Sequence, residues 1–311
     1  MRVGGCRYGT KNKLGITFQT YSTTPWSTLC VDLIGPYTIK GKDKSEMDFM
    51  CLTMIDPATS WFEIVELPVV EKPMKNKKGD IIDVEVFDKT SKQIARLVNK
   101  SWFSRYPRPT DVVYDNGSEF KLYFRELIDS YGIKRKPTTI KNPQANAILE
   151  RVHQVVGSMM RTAELDMAET VDPDTVSDFI DNAAWAIHST HHTVLKSSPG
   201  AAIFGRDMLF DIPYIADWNK IGDYRQVQTD RNTARENALR ADYDYKVGGQ
   251  VLLRKDGILR KAEAKYMGPY TVTTVHTNGT IRIQRGAQSE RVNIRRVKPF
   301  HHRETDDEYE V

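Results

Sequence analysis

The sequence predicts an α/β fold in which a mixed β-sheet with flanking helices is followed by a helical segment and a small C-terminal all-β barrel. Apolar strand patterns dominate residues 29–67, and apolar residues at helical spacing alternate with a short strand over residues 94–160. Short strands separated by Gly-containing turns fill residues 246–303. With 311 residues, of which 40% are hydrophobic, the chain is long enough for two compact units.

The first elements are predicted to be three strands in a β-meander. Residues 29–34 form an apolar run that the Gly-Pro pair at 35–36 is expected to stop, and residues 49–55 form a second run. Residues 61–67 alternate polar and apolar side chains as a third strand does. Residues 73–83 are charged and lack periodicity, which predicts an inserted surface loop.

Helical spacing follows this loop. A helix over residues 94–102 is expected to end before Pro107, and residues 112–114 then form a short strand. Two amphipathic helices are predicted next, over residues 120–131 and 142–160. The resulting order, β-β-β-α-β-α-α, is that of a ribonuclease-H-like domain, in which helices flank a mixed sheet.

The second half of the chain is predicted to be helical and then all-β. Residues 171–210 show helical periodicity, and residues 224–245 are polar enough to form either a helix or a linker. We expect four segments after residue 23: an α/β core over residues 24–165, a helical extension and linker over 166–245, a basic β-barrel over 246–303 and an acidic tail over 304–311.

The net charge of +4 conceals opposite charges in different segments. Residues 246–303 hold thirteen Lys or Arg against three acids, a balance of +10, whereas residues 166–217 hold two against nine, a balance of −7. A concentrated positive segment favours a polyanionic partner such as nucleic acid. The alternative is a solvated charged face with no partner.

Two classes of protein are excluded by simple counts. The longest apolar runs are far shorter than the roughly 18 to 20 residues that cross a bilayer, and no secretory leader opens the sequence, so a soluble intracellular protein without a membrane partner is expected. Three cysteines are an odd number, and two of them lie in apolar strand-like runs. A disulfide framework is therefore not expected.

Three carboxylates stand at positions that suit metal-dependent chemistry. Asp32 lies inside an apolar strand, where an ionised side chain is costly without a compensating cation or hydrogen bonds. Asp115 ends a strand, and Glu150 lies on the following long helix. Singly, Asp-Asn-Gly is an ordinary turn and Glu150 an ordinary surface residue. Together they are the hard oxygen ligands that two magnesium ions require.

The motifs around these carboxylates resemble those of the integrases of gypsy-type long-terminal-repeat retrotransposons, relatives of the retroviral integrases. The matching segments cover about residues 25 to 300, and their ordered set is specific although each is weak alone. They are Pro-Trp at 25–26 with Val-Asp-Leu-Ile-Gly-Pro at 31–36, Tyr-Asp-Asn-Gly-Ser-Glu-Phe at 114–120, Asn-Pro-Gln-Ala-Asn at 142–146 with Glu-Arg at 150–151, and Lys-Tyr-Met-Gly-Pro-Tyr at 265–270.

The resemblance implies a ribonuclease-H-like DDE core that removes terminal nucleotides from element DNA, an endonuclease step, and joins the 3′ ends to target DNA. Asp32, Asp115 and Glu150 carry over as catalytic residues and as ligands of two Mg²⁺ or Mn²⁺ ions. Implied partners are double-stranded DNA and further copies of the chain, with action in the nucleus after a cytoplasmic stage. Candidate nucleic-acid contacts are Asn116, Asn142, Gln144, Arg151, His153, Lys265, Arg295 and Arg296.

The sequence departs from the family pattern in three places. Asp115 and Glu150 are 35 residues apart, one fewer than is usual in the family. Asp32 and Asp115 are 83 residues apart, unusually far, and the loop at 73–83 explains much of this. No His precedes His153, so residues 1–23 are expected to be a remnant after an N-terminal zinc module, cut from a polyprotein, and no zinc is expected in this chain.

Two rival functions remain open: a domesticated, catalytically silent nucleic-acid-binding protein, and a ribonuclease-H-like nuclease. The intact carboxylate triplet argues against the first, and the Gly-Pro-Tyr segment does not favour the second. His188, His191 and His192 could suggest a metal site, but they lack a matching Cys or carboxylate, so we expect them on a helix surface. Trp185 and Phe204 are expected in the core.

Overall fold

The computed structural model describes residues 24–75, 80–138, 147–166, 170–238, 243–255, 263–276 and 279–300. The chain divides into two compact units, one of which is Gln19–Gln226 and the other of which contains Val227–Val311. None of the helices in the described ranges combines the length and hydropathy that crossing a bilayer requires.

The first unit is an α/β domain built on a five-stranded mixed sheet in the order β3-β2-β1-β6-β7. Strands β1, β2 and β3 are antiparallel neighbours, and β6 and β7 run parallel to β1. The elements of this unit are β1 (Thr28–Lys40), β2 (Glu46–Ile55), β3 (Phe62–Glu66), β4 (Val69–Lys75), β5 (Ile81–Phe87), α1 (Ser91–Val98), β6 (Asp111–Tyr114), α2 (Tyr123–Ser130), β7 (Lys134–Pro137), α3 (Ala147–Asp166), α4 (Pro173–Ser189) and α5 (Pro199–Phe204).

Both faces of the sheet are buried, which explains the continuous apolar runs in the sequence. On one face, Leu52 and its neighbours pack against residues of α1 and α2 such as Ile94 and Phe124. On the other, Cys51 and its neighbours pack against residues of α3 and α4 such as Val156. We call the second face the α3 face. The predicted mixed sheet with flanking helices is confirmed.

The prediction that the Gly-Pro pair stops the first strand is wrong, because β1 continues to Lys40. The strand accommodates the pair with a register shift against β2 between Ile34 and Tyr37, as in a β-bulge. Gly35 has a φ of +103°, and a Cβ atom there would lie 2.9 Å from the Phe49 carbonyl oxygen. Glycine is therefore required at this position both by its backbone angle and by the close approach of β2.

Two further strands differ from the sequence-based expectation. The two ends of the predicted inserted loop, residues 73–75 and 81–83, instead belong to an antiparallel ribbon, in which β4 pairs only with β5 among the described residues. Strand β7, with the sequence Lys-Arg-Lys-Pro, was not predicted because it has no apolar pattern. It forms one edge of the sheet, where charged residues and proline are common since they discourage further pairing.

The second unit contains a five-stranded antiparallel sheet in the order β11-β10-β9-β8-β12, which confirms the C-terminal all-β prediction. Its core is formed by apolar residues that alternate with exposed polar ones, for example Ile281 and Ile283 around Arg282. The remaining elements are α6 (Trp218–Ala238), within which the two units divide, β8 (Gln250–Arg254), β9 (Tyr266–His276), β10 (Thr280–Arg285), β11 (Gln288–Asn293) and β12 (Val297–Pro299).

Candidate active site

Asp32 lies near the middle of β1 on the α3 face of the sheet. Its neighbours at alternate positions, Cys30 and Ile34, are both buried in the apolar layer on this face, and Asp32 itself is half-buried. Its Oδ1 accepts a hydrogen bond from the backbone N–H of Leu33 at 2.9 Å. Directly opposite on β2 stands Thr53, which is fully buried.

Asp115 follows the last residue of β6, the parallel neighbour of β1. Cys30 pairs with Val113 across these two strands, so Asp32 and Asp115 each lie two residues beyond the same paired position. Parallel strands lie about 4.8 Å apart, and side chains at this spacing return to the same face. Asp115 is exposed, and its Oδ1 accepts a hydrogen bond from the Gly117 N–H at 2.9 Å.

Glu150 lies in the first turn of α3, the helix that covers this face. Leu149 and Val156 of the same helix are fully buried in the layer that contains Cys30 and Val113. Glu150 is exposed, yet partial burial raises the pKa of its carboxyl above the usual range. One carboxylate therefore lies on β1, the second directly follows the adjacent parallel strand β6, and the covering helix carries the third.

The three elements are neighbours in the fold, because β6 pairs with β1 and α3 packs on the same face of the sheet. Among the described residues, no group of three or more His, Cys, Asp or Glu side chains is arranged to hold a metal ion. Convergence of Asp32, Asp115 and Glu150 on one metal site stays a prediction.

The other candidate residues of the α/β domain differ in exposure and in their contacts. Asn116 is exposed, and its Nδ2 donates a hydrogen bond to the Thr138 carbonyl at 2.9 Å, which links the ends of β6 and β7. Arg151 is exposed on α3, whereas His153 is half-buried and lies 2.8 Å, Nε2 to Oγ1, from Thr53. Asn142 and Gln144 lie outside the described residues.

In the second unit, the described basic side chains differ in how exposed they are. Lys265 is exposed, and Arg296 is half-buried with its Nη2 donating to the Arg254 carbonyl at 3.4 Å. The Nζ of Lys298 lies 4.8 Å from the ring centroid of Tyr266. The side chain of Arg295 lies outside the described part of the chain.

The expectation of a surface position for His188 is wrong. This residue is buried, its ring stacks on Trp61 with centroids 3.7 Å apart, and its Nε2 lies 2.6 Å from the Phe62 carbonyl oxygen. Burial lowers the pKa of the imidazole, so it is a packed neutral ring. The core positions expected for Trp185 and Phe204 are also wrong, since they are 48% and 63% exposed.

Thr53 is the residue of this site that the sequence analysis missed. It lies in an apolar strand opposite Asp32, and its hydroxyl contacts both the Asp32 carbonyl and the His153 ring. A threonine within a run of buried apolar residues was the available signal, because a buried hydroxyl needs hydrogen-bond partners.

No family model matches the chain. A curated relative, the retrovirus-related Pol polyprotein from transposon 412 of Drosophila melanogaster, is 22% identical over 246 residues, 71% of this chain. The chain spans 19% of that polyprotein's length.

Among solved structures, one similar chain comes from a cryo-EM structure of the simian T-cell lymphotropic virus intasome in complex with PP2A regulatory subunit B56 gamma. It has a TM-score of 0.55 and 12% identity, and the match covers 92% of this chain and 83% of that one. The HTLV-2 integrase catalytic core domain in complex with magnesium, in its trimeric form, matches over 57% of this chain and 95% of its own, with 16% identity and a TM-score of 0.39. The chain is therefore similar in sequence to part of a transposon Pol polyprotein and shares its fold with a chain from a viral intasome structure.

Proposed function

We propose that the chain is a DDE-type polynucleotidyl transferase that processes the 3′ ends of element DNA and joins them to target DNA. The observation that carries this proposal is the register between β1 and its parallel neighbour β6, in which Asp32 and Asp115 each come two residues after the paired residues Cys30 and Val113. The helix that bears Glu150 packs across the same face of the sheet.

The chemistry of these donors fits magnesium or manganese. Carboxylate oxygens are hard ligands, and a strand centre, a strand end and a helix provide a rigid frame for them. Asp32, Asp115 and Glu150 would be the ligands. Two such ions, when bound, supply activation of the attacking oxygen and stabilisation of the leaving oxygen. No side-chain nucleophile is needed, because water or a DNA 3′ hydroxyl is the attacking group.

The surroundings of Asp32 favour the binding of a cation. The apolar layer around Asp32 limits competing solvation of the carboxylate, which strengthens its interaction with a cation. His153, the histidine of α3, is neutral at pH 7 because burial lowers its pKa to about 4. It therefore adds no positive charge that would oppose cation binding.

Double-stranded DNA is the proposed partner, held by phosphate contacts from the basic second unit. We expect binding to weaken by about 10²- to 10³-fold between 50 and 200 mM salt if about four or five phosphates are contacted. Fluorescence anisotropy with a labelled duplex measures this slope. Lys265→Ala should reduce the slope by about one, whereas Lys220→Ala, which removes a lysine paired with Asp217 in the other unit, should not change it. Salt-independent binding would contradict the phosphate contacts.

A domesticated, silent DNA-binding protein is the second candidate function. Assembly into a homo-oligomer and action in the nucleus belong to the integrase proposal.

A strand-transfer assay separates the two candidates. The purified chain is incubated with a labelled duplex that carries the element's terminal sequence, a plasmid target, and either Mg²⁺, Mn²⁺ or EDTA. Integration predicts joined products with either metal and none with EDTA. Tight DNA binding without joining under every metal condition would reject the enzyme and support the silent protein.

A further inference from the structure

The α3 face contains a polar pair inside an otherwise apolar layer. Asp32 and Thr53 are opposite each other on β1 and β2, and the flanking pairs, Cys30 with Ile55 and Ile34 with Cys51, are buried. Side chains that face each other across antiparallel strands lie on the same face of the sheet. The pair therefore needs hydrogen-bond partners that the apolar layer cannot provide.

His153 of α3 provides a partner for Thr53. The Thr53 hydroxyl donates to the Asp32 carbonyl at 3.0 Å and lies 2.8 Å from the His153 Nε2. A threonine hydroxyl has one proton and can also accept. The Thr53 hydroxyl donates its one proton to the backbone carbonyl of Asp32. We therefore assign the tautomer of His153 in which Nε2 carries the proton and donates it to the Thr53 oxygen.

The contact fixes one particular stretch of α3. His153 lies one helical turn after Glu150, and on a helix such residues are about 5–6 Å apart. Leu149 and Val156, four residues before and three after His153, are buried against the sheet on the same side of the helix. The hydrogen bond is thus the directional contact within a non-directional apolar interface.

We propose that Thr53 and His153 form a positioning clamp that holds α3, and with it Glu150, at a fixed height over Asp32. The proposal rests on the proposed function. It assigns His153 a role different from the DNA contact that the resemblance implies, because a half-buried neutral ring offers a phosphate no charge. Neither residue of the clamp is a metal ligand.

The test compares variants that remove the clamp with variants that keep it. Thr53→Val removes the hydroxyl at nearly constant volume, and Thr53→Ser retains it. His153→Leu removes the ring donor, and His153→Gln retains an amide N–H. Groups that orient metal ligands are typically worth 10- to 100-fold in metal affinity or activity. We expect at least a 10-fold loss of Mn²⁺ affinity and joining rate in the Val and Leu variants, with most of it restored in Ser and Gln.

Three measurements make the outcome decisive: Mn²⁺ affinity by calorimetry, DNA affinity in EDTA, and the midpoint of urea unfolding. If the two residues act as one clamp, the double variant of Thr53→Val and His153→Leu loses no more than the worse single variant. A DNA contact instead predicts weaker DNA binding for His153→Leu alone, and losses that multiply. Reduced stability with unchanged Mn²⁺ affinity would show a merely structural contact, and either result would overturn the clamp.

The same experiment distinguishes failure of the proposed function from failure of the clamp. A wild-type chain that binds Mn²⁺ but joins no DNA contradicts the integrase, while its Mn²⁺ titrations still decide the clamp. A wild-type chain that joins DNA with full Mn²⁺ affinity in Thr53→Val contradicts the clamp alone. A wild-type chain that binds no Mn²⁺ would overturn both.

Discussion

Replacing Asp115 with Asn is expected to lower DNA joining by about 10³-fold or more, because removal of one member of a catalytic unit disables the whole unit. The fold should persist. Asp115 is exposed, and Asn retains the Oδ1 atom that accepts from the Gly117 N–H. Glu150→Gln should cause a similar loss. Joined product quantified on denaturing gels gives the rate.

Two controls make this result specific to the proposed ligands. Glu126→Gln changes an exposed glutamate of α2, which packs against the opposite face of the sheet, and should join DNA at the wild-type rate. The double variant of Asp115→Asn and Glu150→Gln should be no slower than the worse single variant, since both act in one site. Joining by either single variant at more than a tenth of the wild-type rate would reject these residues as metal ligands.

Asp56→Ala is expected to destabilise the first unit by about 3–5 kcal/mol, the usual cost of breaking a buried charge network. Asp56 is fully buried at the end of β2. Its carboxylate accepts hydrogen bonds from the backbone N–H groups of Trp26, Ala58 and Thr59 and from the Thr59 hydroxyl, at 2.8–3.2 Å. Alanine would leave these donors without their acceptor.

The charge of Asp56 matters as well as its shape. Burial raises the pKa of this carboxyl, and the hydrogen bonds oppose that rise. The half-buried guanidinium of Arg225, which donates to the Ala58 carbonyl at 3.0 Å, interacts favourably with the carboxylate. Asp56→Asn keeps one acceptor oxygen and should cost less than Asp56→Ala. Urea unfolding measures both variants, and a cost below about 1 kcal/mol for alanine would show that the network contributes little.

The sequence predicted the parts of the fold that depend on apolar periodicity. Strands β1 and β2 were recognisable because both faces of the sheet are buried. Strand β7 was not, because pairing at a sheet edge needs backbone hydrogen bonds and no buried side chains. Gly35 was interpreted as a stop, since a local pattern cannot show that the neighbouring strand follows a bulge across it.

The site was predictable in its residue types and less so in its contacts. Spacing and motif identify Asp32, Asp115 and Glu150 as candidates, but only the register between β1 and β6 shows that the first two each come two residues after a paired position. The pairing of Thr53 with His153 joins residues 100 positions apart, which no local pattern reveals. For Phe204 the local pattern was misleading, because an aromatic residue next to apolar neighbours was expected in the core. Its side chain is 63% exposed, although its ring contacts Trp61.

The ribbon formed by β4 and β5 bears on how chains of this kind can be detected. Among the described residues β4 pairs only with β5. A change in the number of residues between these two strands therefore changes the interval between Asp32 and Asp115 without altering the register between β1 and β6. A sequence search that demands a fixed interval between these aspartates would overlook such a chain.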